Sequence, residues 1–341
     1  MFDNLEAQLQ KFAEQHYPGP VKVRDVGPME DGHAGLTFGV TIINGESGAV
    51  IDDLVLRLAP KGVTRKGNTD VYRQAPLLRA LYDAGQPVPP IRWADAGEEE
   101  FESPYVMMEK FPGKTCIIWD PDPIFPRTDE AMAPIWLQAA EALADIHLFD
   151  WKSKLGDWED AVPVADEIHK WERIYAKAPE AEWAALGEEV RNLLLARPAP
   201  DSPVGLFHGD YQPGNVLYDD GKLVAVLDWE ISGIGAQLLD IGWLLMMGDP
   251  LSWHEKWHPV CPPPIADMVA AYEARMGRNF PAIPWYQALA GYRFASISCL
   301  NVRLHRKGQR HDPMWEEFAH AVPNLFGRAR DLLVKYYDSS C

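Results

Sequence analysis

The stretch LFHGDYQPGNVLYDDGKLVAVLDWE, residues 206–230, places His208, Asp210, Asn215 and Asp228 within one loop and one expected hairpin. Apolar, β-prone residues flank Asp-Asp-Gly-Lys, which is a strong signal for a hairpin that turns near Gly221. The ends of an antiparallel hairpin lie side by side, so Asn215, which opens the first strand, is expected to lie opposite Asp228, which closes the second. The stretch therefore predicts two oxygen donors that converge on one point.

These donors are of a type that suits a magnesium ion. Mg²⁺ binds few protein oxygens and keeps its other positions for water and phosphate. Asp210 precedes Asn215 by five residues, across a loop in which Pro213 and Gly214 favour a tight turn. Its carboxylate is placed to accept a proton from a hydroxyl group beside a metal-bound phosphate. A metal that neutralises charge and a carboxylate that receives a proton are the parts used in phosphoryl transfer.

Two neighbouring residues have less certain roles. His208 is interpreted as a buried residue that donates to the backbone and organises the loop, rather than as an acid–base group. Glu230 is an acid that supports other residues of the site, an acid that faces the metal, or a surface residue. For the stretch as a whole, the alternative is a structural hairpin whose acids do no chemistry.

The segment HGDYQPGNVL…VAVLDWE resembles the catalytic segment of the aminoglycoside phosphotransferase and choline kinase superfamily, whose members are relatives of the protein kinases. LVLRLAP, at residues 54–60, is similar to that family's strand with a phosphate-binding base. YVMMEKFPG, at 105–113, resembles the segment that leads to its hinge, and ALADIHLFDW, at 142–151, the helix beneath its catalytic loop. MVAAYEARMGR, at 268–278, resembles the branch with kinase-like domains fused to acyl-CoA dehydrogenases.

The resemblance implies a protein-kinase-like bilobal α+β fold that binds ATP, with GTP as the alternative nucleotide, and Mg²⁺. Asp210 would be the catalytic base, and Asn215 and Asp228 would be the metal ligands. Asp240, in LLDIGW, would brace the catalytic loop; otherwise it is an acid on an exposed helix face. The residues implied in nucleotide binding are Arg57 at the phosphates, Gly32 and Gly35 in a loop that covers them, and Met108, Glu109 and Phe111 at the adenine.

Two departures from the family pattern concern the phosphate clamp. The family most often has a lysine where Arg57 stands, paired with a glutamate on a helix. Arginine keeps its charge and binds phosphate in bidentate fashion, so it can serve this role. The matching helix position here is Gln74, close to Pro76, so the expected ion pair is lost and the orientation of the clamp is an open question.

The order of secondary-structure signals predicts two lobes. Residues 1–109 are expected to form a nucleotide-binding lobe, mainly antiparallel sheet. Residues 110–114, which include Pro-Gly, are expected to form a hinge. Residues 115–341 are expected to form a larger, mainly helical lobe with the catalytic loop and the acceptor site. Helices are predicted near 129–150, 165–178, 181–196, 264–277, 284–305 and 314–337, and the opening stretch is the only clear β segment in this half.

Composition limits the classes of partner. The chain has 341 residues and a formal net charge of −18, which repels phosphate backbones, so nucleic acid is not expected as a partner. Its four cysteines are far apart, which indicates a reducing compartment rather than a disulfide framework. The start has no signal-peptide pattern, and no apolar run is long enough to span a membrane. We therefore expect a cytoplasmic monomer or homodimer.

A second motif competes with the first. HEKWH, at residues 254–258, has the spacing of a zinc-protease signature. Pro250 and Pro259 flank the motif closely, so a long helix cannot hold it centrally. A zinc hydrolase is therefore the remote alternative. Trp253 and Trp257 either pack against the large lobe or line an acceptor pocket.

The function predicted from these observations is an enzyme, an ATP-dependent phosphotransferase that acts on a hydroxyl of a small molecule. Aminoglycoside-like, choline-like and hydroxyacyl acceptors all remain open, because the family resemblance implies an acceptor pocket in the family's most variable helices, which here would be near residues 150–200 and 250–310. The negative charge favours cationic acceptors, whereas the tryptophans favour apolar ones. The alternative function is a nucleotide-binding protein of the same fold with weak or no catalysis, which the departure at Gln74 supports.

Overall fold

The computed structural model describes residues 4–29 and 36–339 of the chain. The chain divides into two compact units. The first unit combines Met1–Pro112 with Val224–Ile231, and the second combines Gly113–Leu223 with Ser232–Cys341. The prediction from sequence put everything after residue 115 in one lobe. The observed division instead places the short segment Val224–Ile231, which is distant in sequence, in the first unit.

The first unit is an antiparallel sheet covered by helices. Its sheet has the strand order β1-β2-β3-β5-β4, with antiparallel pairing throughout. Leu5, Leu9 and Phe12 recur on one face of the first helix and are buried in the core of this unit, as their spacing predicts. The elements are α1 (Leu5–His16), β1 (Val21–Pro28), β2 (Leu36–Asn44), β3 (Val50–Leu58), α2 (Gln74–Asp83), β4 (Ile91–Asp95) and β5 (Tyr105–Glu109).

The second unit is mainly helical, with small sheets in the orders β10-β9-β6 and β7-β11-β8. Every residue of its helix α7 is buried, so this helix lies at the centre of the core. The elements are β6 (Lys114–Thr115), α3 (Asp129–His147), α4 (Trp151–Leu155), β7 (Ala161–Val162), α5 (Val164–Tyr175), α6 (Ala181–Leu195), β8 (Val204–Phe207), β9 (Val216–Asp219), β10 (Lys222–Val226), β11 (Gly233–Ala236), α7 (Leu238–Gly248), α8 (Ile265–Met276), α9 (Ile283–Arg306), α10 (Met314–Phe318) and α11 (Val322–Asp338). Strand β10 continues into the segment assigned to the first unit.

The structure confirms the antiparallel N-terminal sheet and the helical C-terminal part, and it corrects some element predictions. The opening stretch is not the only β segment of the second half, because β11 also forms. Its sequence, GIGA, has two glycines, which weaken any strand signal. The helix predicted at 314–337 is broken at Ala319–Ala321, and α11 starts anew just before Pro323. Proline favours the first turn of a helix because it lacks an N–H donor.

Among the described residues, no helix combines the length and the apolar character that crossing a membrane requires.

Candidate active site

The loop with the predicted base follows strand β8 in the second unit. His208 is fully buried, and Gly209 has a φ of 91°, a left-handed conformation that glycine adopts at little cost. Asp210 comes next and is half-buried. A 3₁₀ turn at Pro213–Asn215 then leads directly into β9, so proline and glycine form the tight turn that the sequence predicts.

Asp240, near the start of α7, anchors this loop from below. Its Oδ2 accepts a hydrogen bond from the backbone N–H of His208 at 2.6 Å, and its Oδ1 accepts one from Gly209 at 2.8 Å. Its side chain is fully buried. The prediction of a bracing role is therefore confirmed in its geometry, and the exposed-acid alternative is wrong. Two backbone donors held by one carboxylate fix the path of the chain just before Asp210.

His147, on α3, completes the buried network and had no role in the sequence prediction. Its Nε2 lies 3.3 Å from Asp240 Oδ2, and its Nδ1 lies 2.8 Å from the hydroxyl of Tyr272. Burial opposes ionisation of Asp240, but hydrogen bonds and positive charge from His147, with a contribution from His208, hold its pKa below the ordinary value. Asp240 is thus a carboxylate whose charge the surrounding groups stabilise.

The side chains of Asp210 and Asn215 are hydrogen-bonded to each other within this unit. Asn215 Nδ2 donates to the backbone oxygen of Asp210 at 2.8 Å and to its Oδ2 at 3.0 Å. Gln212 Nε2 donates to Asp210 Oδ1 at 2.9 Å. His208 Nδ1 accepts from the backbone N–H of Asp210 at 3.2 Å, so this buried ring does contact the loop backbone, and its role as a donor to the backbone stays a prediction. The loop is organised by its own side chains together with Asp240.

In the first unit, Arg57 on β3 is surrounded by acceptors. The residue is 9% exposed. Its NH1 donates to Asp228 Oδ1 at 3.2 Å, and its NH2 donates to Glu230 Oε2 at 2.9 Å. Gln74 Oε1 is farther away, at 3.5 Å from NH1. The carboxylate expected on the helix at position 74 is therefore supplied by Glu230, and the interpretation of Glu230 as a surface residue is wrong.

The other predicted nucleotide-binding residues lie at the end of β5. Met108 is buried and pairs with Val55 of β3, and Glu109, the last residue of this strand, is half-buried. Phe111, two residues beyond, is also half-buried. Their assignment to the adenine stays a prediction. Gly32 and Gly35, predicted to cover the phosphates, lie outside the described residues.

Asn215 and Asp228 each meet the chemical requirement for a magnesium ligand. The carboxamide of Asn215 directs its N–H groups at Asp210, which leaves its oxygen as the outward acceptor. Asp228 has a φ of 60°, uncommon for a residue other than glycine, and only its Oδ1 is engaged by Arg57. Oxygen donors of this kind are those that Mg²⁺ prefers. The two residues belong to different compact units, and their convergence stays a prediction.

The HEKWH motif does not form the helix that a zinc protease needs. Glu255–Trp257 form a single 3₁₀ turn, so His254 and His258 are not on successive turns of an α-helix. His254 Nδ1 instead accepts from the backbone N–H of Lys256 at 3.4 Å. Within residues 4–29 and 36–339, no group of three His, Cys, Asp or Glu side chains could hold a metal ion.

The tryptophans beside this motif pack against other aromatic rings of the second unit. Trp253 is 1% exposed, and its indole N–H donates to the backbone oxygen of Met247 at 3.1 Å. Trp257 is half-buried. Both rings contact Phe318, at centroid distances of 5.8 and 5.3 Å, and Trp119, at 5.6 and 5.4 Å. Of the two open interpretations, packing against the large lobe therefore holds for both tryptophans.

Comparison with known proteins supports one family. A model of the phosphotransferase enzyme family matches residues 33–289. Acyl-CoA dehydrogenase family member 11 of Gallus gallus is 25% identical over 294 residues, which is 82% of this chain. The chain spans only 37% of the length of that relative, and 22% of the length of family member 10 of Mus musculus.

Solved structures show the same fold. A crystal structure from Ralstonia eutropha, assigned to the aminoglycoside phosphotransferases, has a TM-score of 0.77 at 19% identity, and the match covers 96% of this chain and 98% of that one. A ternary complex of a thermostable mutant of aminoglycoside phosphotransferase APH(4)-Ia with AMP-PNP and hygromycin B has a TM-score of 0.60 at 16% identity, with coverages of 96% and 97%. The predicted kinase-like α+β fold is confirmed.

Proposed function

Because the chain belongs to the phosphotransferase enzyme family, we propose that it transfers the γ-phosphate of ATP to a hydroxyl group of a small molecule. The observation that carries the proposal is the anchored loop of the second unit. Asp240 holds the backbone just before Asp210, and Asn215 is bonded to Asp210 itself. A fixed carboxylate is what in-line transfer to an alcohol needs, because catalysis of phosphoryl transfer is mostly positioning and electrostatic stabilisation.

Each predicted site residue has one role in this proposal. Asp210 orients the acceptor hydroxyl and takes up its proton as the oxygen bonds to the γ-phosphorus and the bond from that phosphorus to the departing ADP breaks. Arg57 binds the nucleotide phosphates, and its guanidinium is oriented by Glu230. Asn215 and Asp228 hold Mg²⁺, which when bound would neutralise charge on the phosphates. The backbone at Met108, Glu109 and Phe111 receives the adenine, with Gly32 and Gly35 over the phosphates.

Support for ATP and for a small-molecule acceptor comes from a structural neighbour. The APH(4)-Ia complex contains AMP-PNP and hygromycin B together. The alternative of a silent nucleotide-binding protein rested on the departure at Gln74 and Pro76, and the contact of Glu230 with Arg57 supports the active enzyme because it gives the arginine a carboxylate partner. The proposed acceptor is an aminoglycoside-like, choline-like or hydroxyacyl compound. GTP is the alternative nucleotide. The protein is proposed to be a monomer or a homodimer.

The proposal is tested by screening ATP consumption against a panel of hydroxylated metabolites and antibiotics, followed by the variant Asp210→Asn. With an acceptor that supports turnover, we expect Asp210→Asn to lower kcat by at least about 100-fold, in line with the loss of general base catalysis. Binding of Mg-ATP, measured by calorimetry, should change little because Asp210 is assigned to the acceptor.

Asp219→Asn is the matched control. Asp219 is exposed at the end of β9 and has no assigned role, so this variant should keep the wild-type rate. If Asp210→Asn retained near-full turnover, the assignment of the base would be wrong.

A further inference from the structure

Arg293, on α9 of the second unit, is a buried cation between aromatic rings. The residue is 5% exposed. Its guanidinium carbon lies 5.1 Å from the ring centroid of Trp243, on α7, and 5.6 Å from that of Trp171, on α5. Cation–π contacts of this kind stabilise a desolvated guanidinium and limit the directions in which it can move. The two indoles therefore contact Arg293 through its charge and not through its hydrogen-bond donors.

The donors of Arg293 are largely unused. Its Nε lies 3.4 Å from Glu167 Oε1, but the alignment is too poor for a hydrogen bond. Within the described part of the chain, its guanidinium donates no hydrogen bond to any residue. Glu167 Oε1 instead accepts from the indole N–H of Trp171 at 3.0 Å. Buried donors are nearly always paired, and an unmet charged donor costs more than a neutral one.

The local charge balance suits a single negative charge. Besides Arg293, the cation nearest to Glu167 is Lys170, whose Nζ lies 3.8 Å from Glu167 Oε2. These two cations and one carboxylate leave a net charge of about one positive unit before any ligand binds. The closest contact of the guanidinium with Glu167 is through Nε, and its two terminal nitrogens donate no hydrogen bond to any of the described residues. A pair of terminal guanidinium nitrogens matches a carboxylate in bidentate geometry.

The surroundings of Arg293 connect it to the catalytic loop. Trp243 lies one helical turn beyond Asp240, which anchors the loop of Asp210. The ring of Trp243 also contacts Phe294 at a centroid distance of 5.4 Å, and Phe294 contacts Trp253 at 5.7 Å. Aromatic rings therefore line the region beside Arg293. Helix α7 carries one of these rings, Trp243, as well as Asp240, which anchors the loop of Asp210.

We propose that Arg293 binds the carboxylate of the phosphoryl acceptor, whose apolar body packs along Phe294 and Trp243. This inference rests on the proposed function, because it takes the bound molecule to be the acceptor. The acceptor is then a hydroxylated, apolar, monoanionic compound. The cationic acceptors that the net charge of the chain favours are disfavoured, since the group proposed to bind the acceptor is itself a cation.

The test compares two ligands that differ only in charge: mandelate, a hydroxylated aromatic carboxylate, and mandelamide, its uncharged amide. Binding to the full chain is measured without nucleotide, by calorimetry and by tryptophan emission, which reports on the two indoles beside Arg293. We expect the wild-type protein to bind mandelate at least about 10-fold more tightly than mandelamide, as for a charge-assisted pair. Equal affinities would overturn the proposal.

Variants at position 293 separate charge from geometry. Arg293→Met should abolish the preference for mandelate. Arg293→Lys keeps a positive charge beside the buried carboxylate of Glu167, so this variant should fold. It lacks the planar guanidinium that binds a carboxylate in bidentate geometry, so the preference for mandelate should fall at least about fivefold. A preference unchanged in Arg293→Lys, or retained in a folded Arg293→Met, would overturn the assignment.

Failure of the proposed function gives a different result. Nucleotide plays no part in this binding assay, so its outcome does not depend on phosphoryl transfer. A protein that prefers mandelate but transfers phosphate to no acceptor in the ATP-consumption screen would contradict the proposed function while leaving Arg293 as an anion-binding residue.

Discussion

At the scale of single residues, the contact between Arg57 and Glu230 is the most informative departure from the family pattern. The side chains are 11% and 13% exposed, so solvent screens their attraction only weakly. Asp228 and Gln74 approach the same guanidinium nitrogen, whereas Glu230 holds the other one alone. Glu230 therefore sets the orientation of the guanidinium, as the helix glutamate does for the lysine in the family pattern.

Replacing Glu230 by glutamine should weaken nucleotide binding more than acceptor binding. Loss of one charge-assisted contact frees Arg57 to rotate, and we expect the KM for ATP to rise about 10-fold. Steady-state kinetics with each substrate varied in turn measures the effect. The double variant Glu230→Gln/Gln74→Glu moves the carboxylate to the helix and should recover part of the loss.

Glu6→Gln is the control for this prediction, because Glu6 is exposed on α1 and has no assigned role. Equal increases in the KM of both substrates for Glu230→Gln would show that Glu230 does not act through the phosphate clamp.

At the scale of elements, helix α7, which anchors the loop of Asp210, crosses α9 with almost no space between the backbones. A Cβ atom placed on Gly242 of α7 would lie 2.5 Å from the carbonyl carbon and oxygen of Tyr286 and 2.8 Å from the nitrogen of Gln287. These are backbone atoms, so a rotamer change cannot relieve the clash. Glycine at position 242 therefore allows α7 and α9 to pack this closely. Their close packing positions Asp240 on α7 and Arg293 on α9.

Gly242→Ala should therefore destabilise the protein by about 3 kcal/mol, at the upper end of the usual cost of overpacking. Gly327, within α11, has open space where a Cβ atom would lie, because apart from its chain neighbours and the nearby backbone of its own helix no atom lies within 4 Å. Gly327→Ala should accordingly raise the free energy of unfolding by about 0.5–1 kcal/mol through helix propensity. Denaturant unfolding of both variants measures the difference. A neutral Gly242→Ala would show that α7 and α9 can separate without cost.

At the scale of the whole molecule, the stability of the fold should depend on pH through Asp240. Its pKa is depressed in the folded state, so it contributes stability above its unfolded pKa of about 3.9 and loses it as the pH falls through the folded value. Asp240→Asn should lower the free energy of unfolding at pH 7 by about 3 kcal/mol, because it breaks a buried charged network.

The pH profile distinguishes this mechanism from general destabilisation. Unfolding by denaturant at a series of pH values between about 2 and 7 should show a shallower acid decline for Asp240→Asn than for the wild-type protein. The exposed-site variant Asp219→Asn should keep the wild-type slope. Parallel profiles for wild type and Asp240→Asn would mean that another carboxylate controls acid stability.

Local features of the fold and site were predictable from sequence, and distant pairings were not. The turn at Asp220 and Gly221, both with positive φ, follows from residue types within four positions of each other. The buried state of Asp240 followed only from family resemblance. Glu230 and Arg57 are 173 residues apart, and no periodicity or spacing connects them. Strand β1 has a weak signal in the sequence, because only Val21 and Val23 alternate as buried residues before charged positions follow.

Residues 224–231 belong to the first compact unit but are synthesised more than a hundred residues after residue 112. On the ribosome, a nascent chain that ends at residue 112 lacks both carboxylates that face Arg57. At a synthesis rate of roughly 5–20 residues per second, several seconds pass between synthesis of the N-terminal sheet and synthesis of Asp228 and Glu230, whose carboxylates face Arg57. A gene split after codon 112 would encode a first fragment without its electrostatic partners, whereas a split after codon 231 would keep them together.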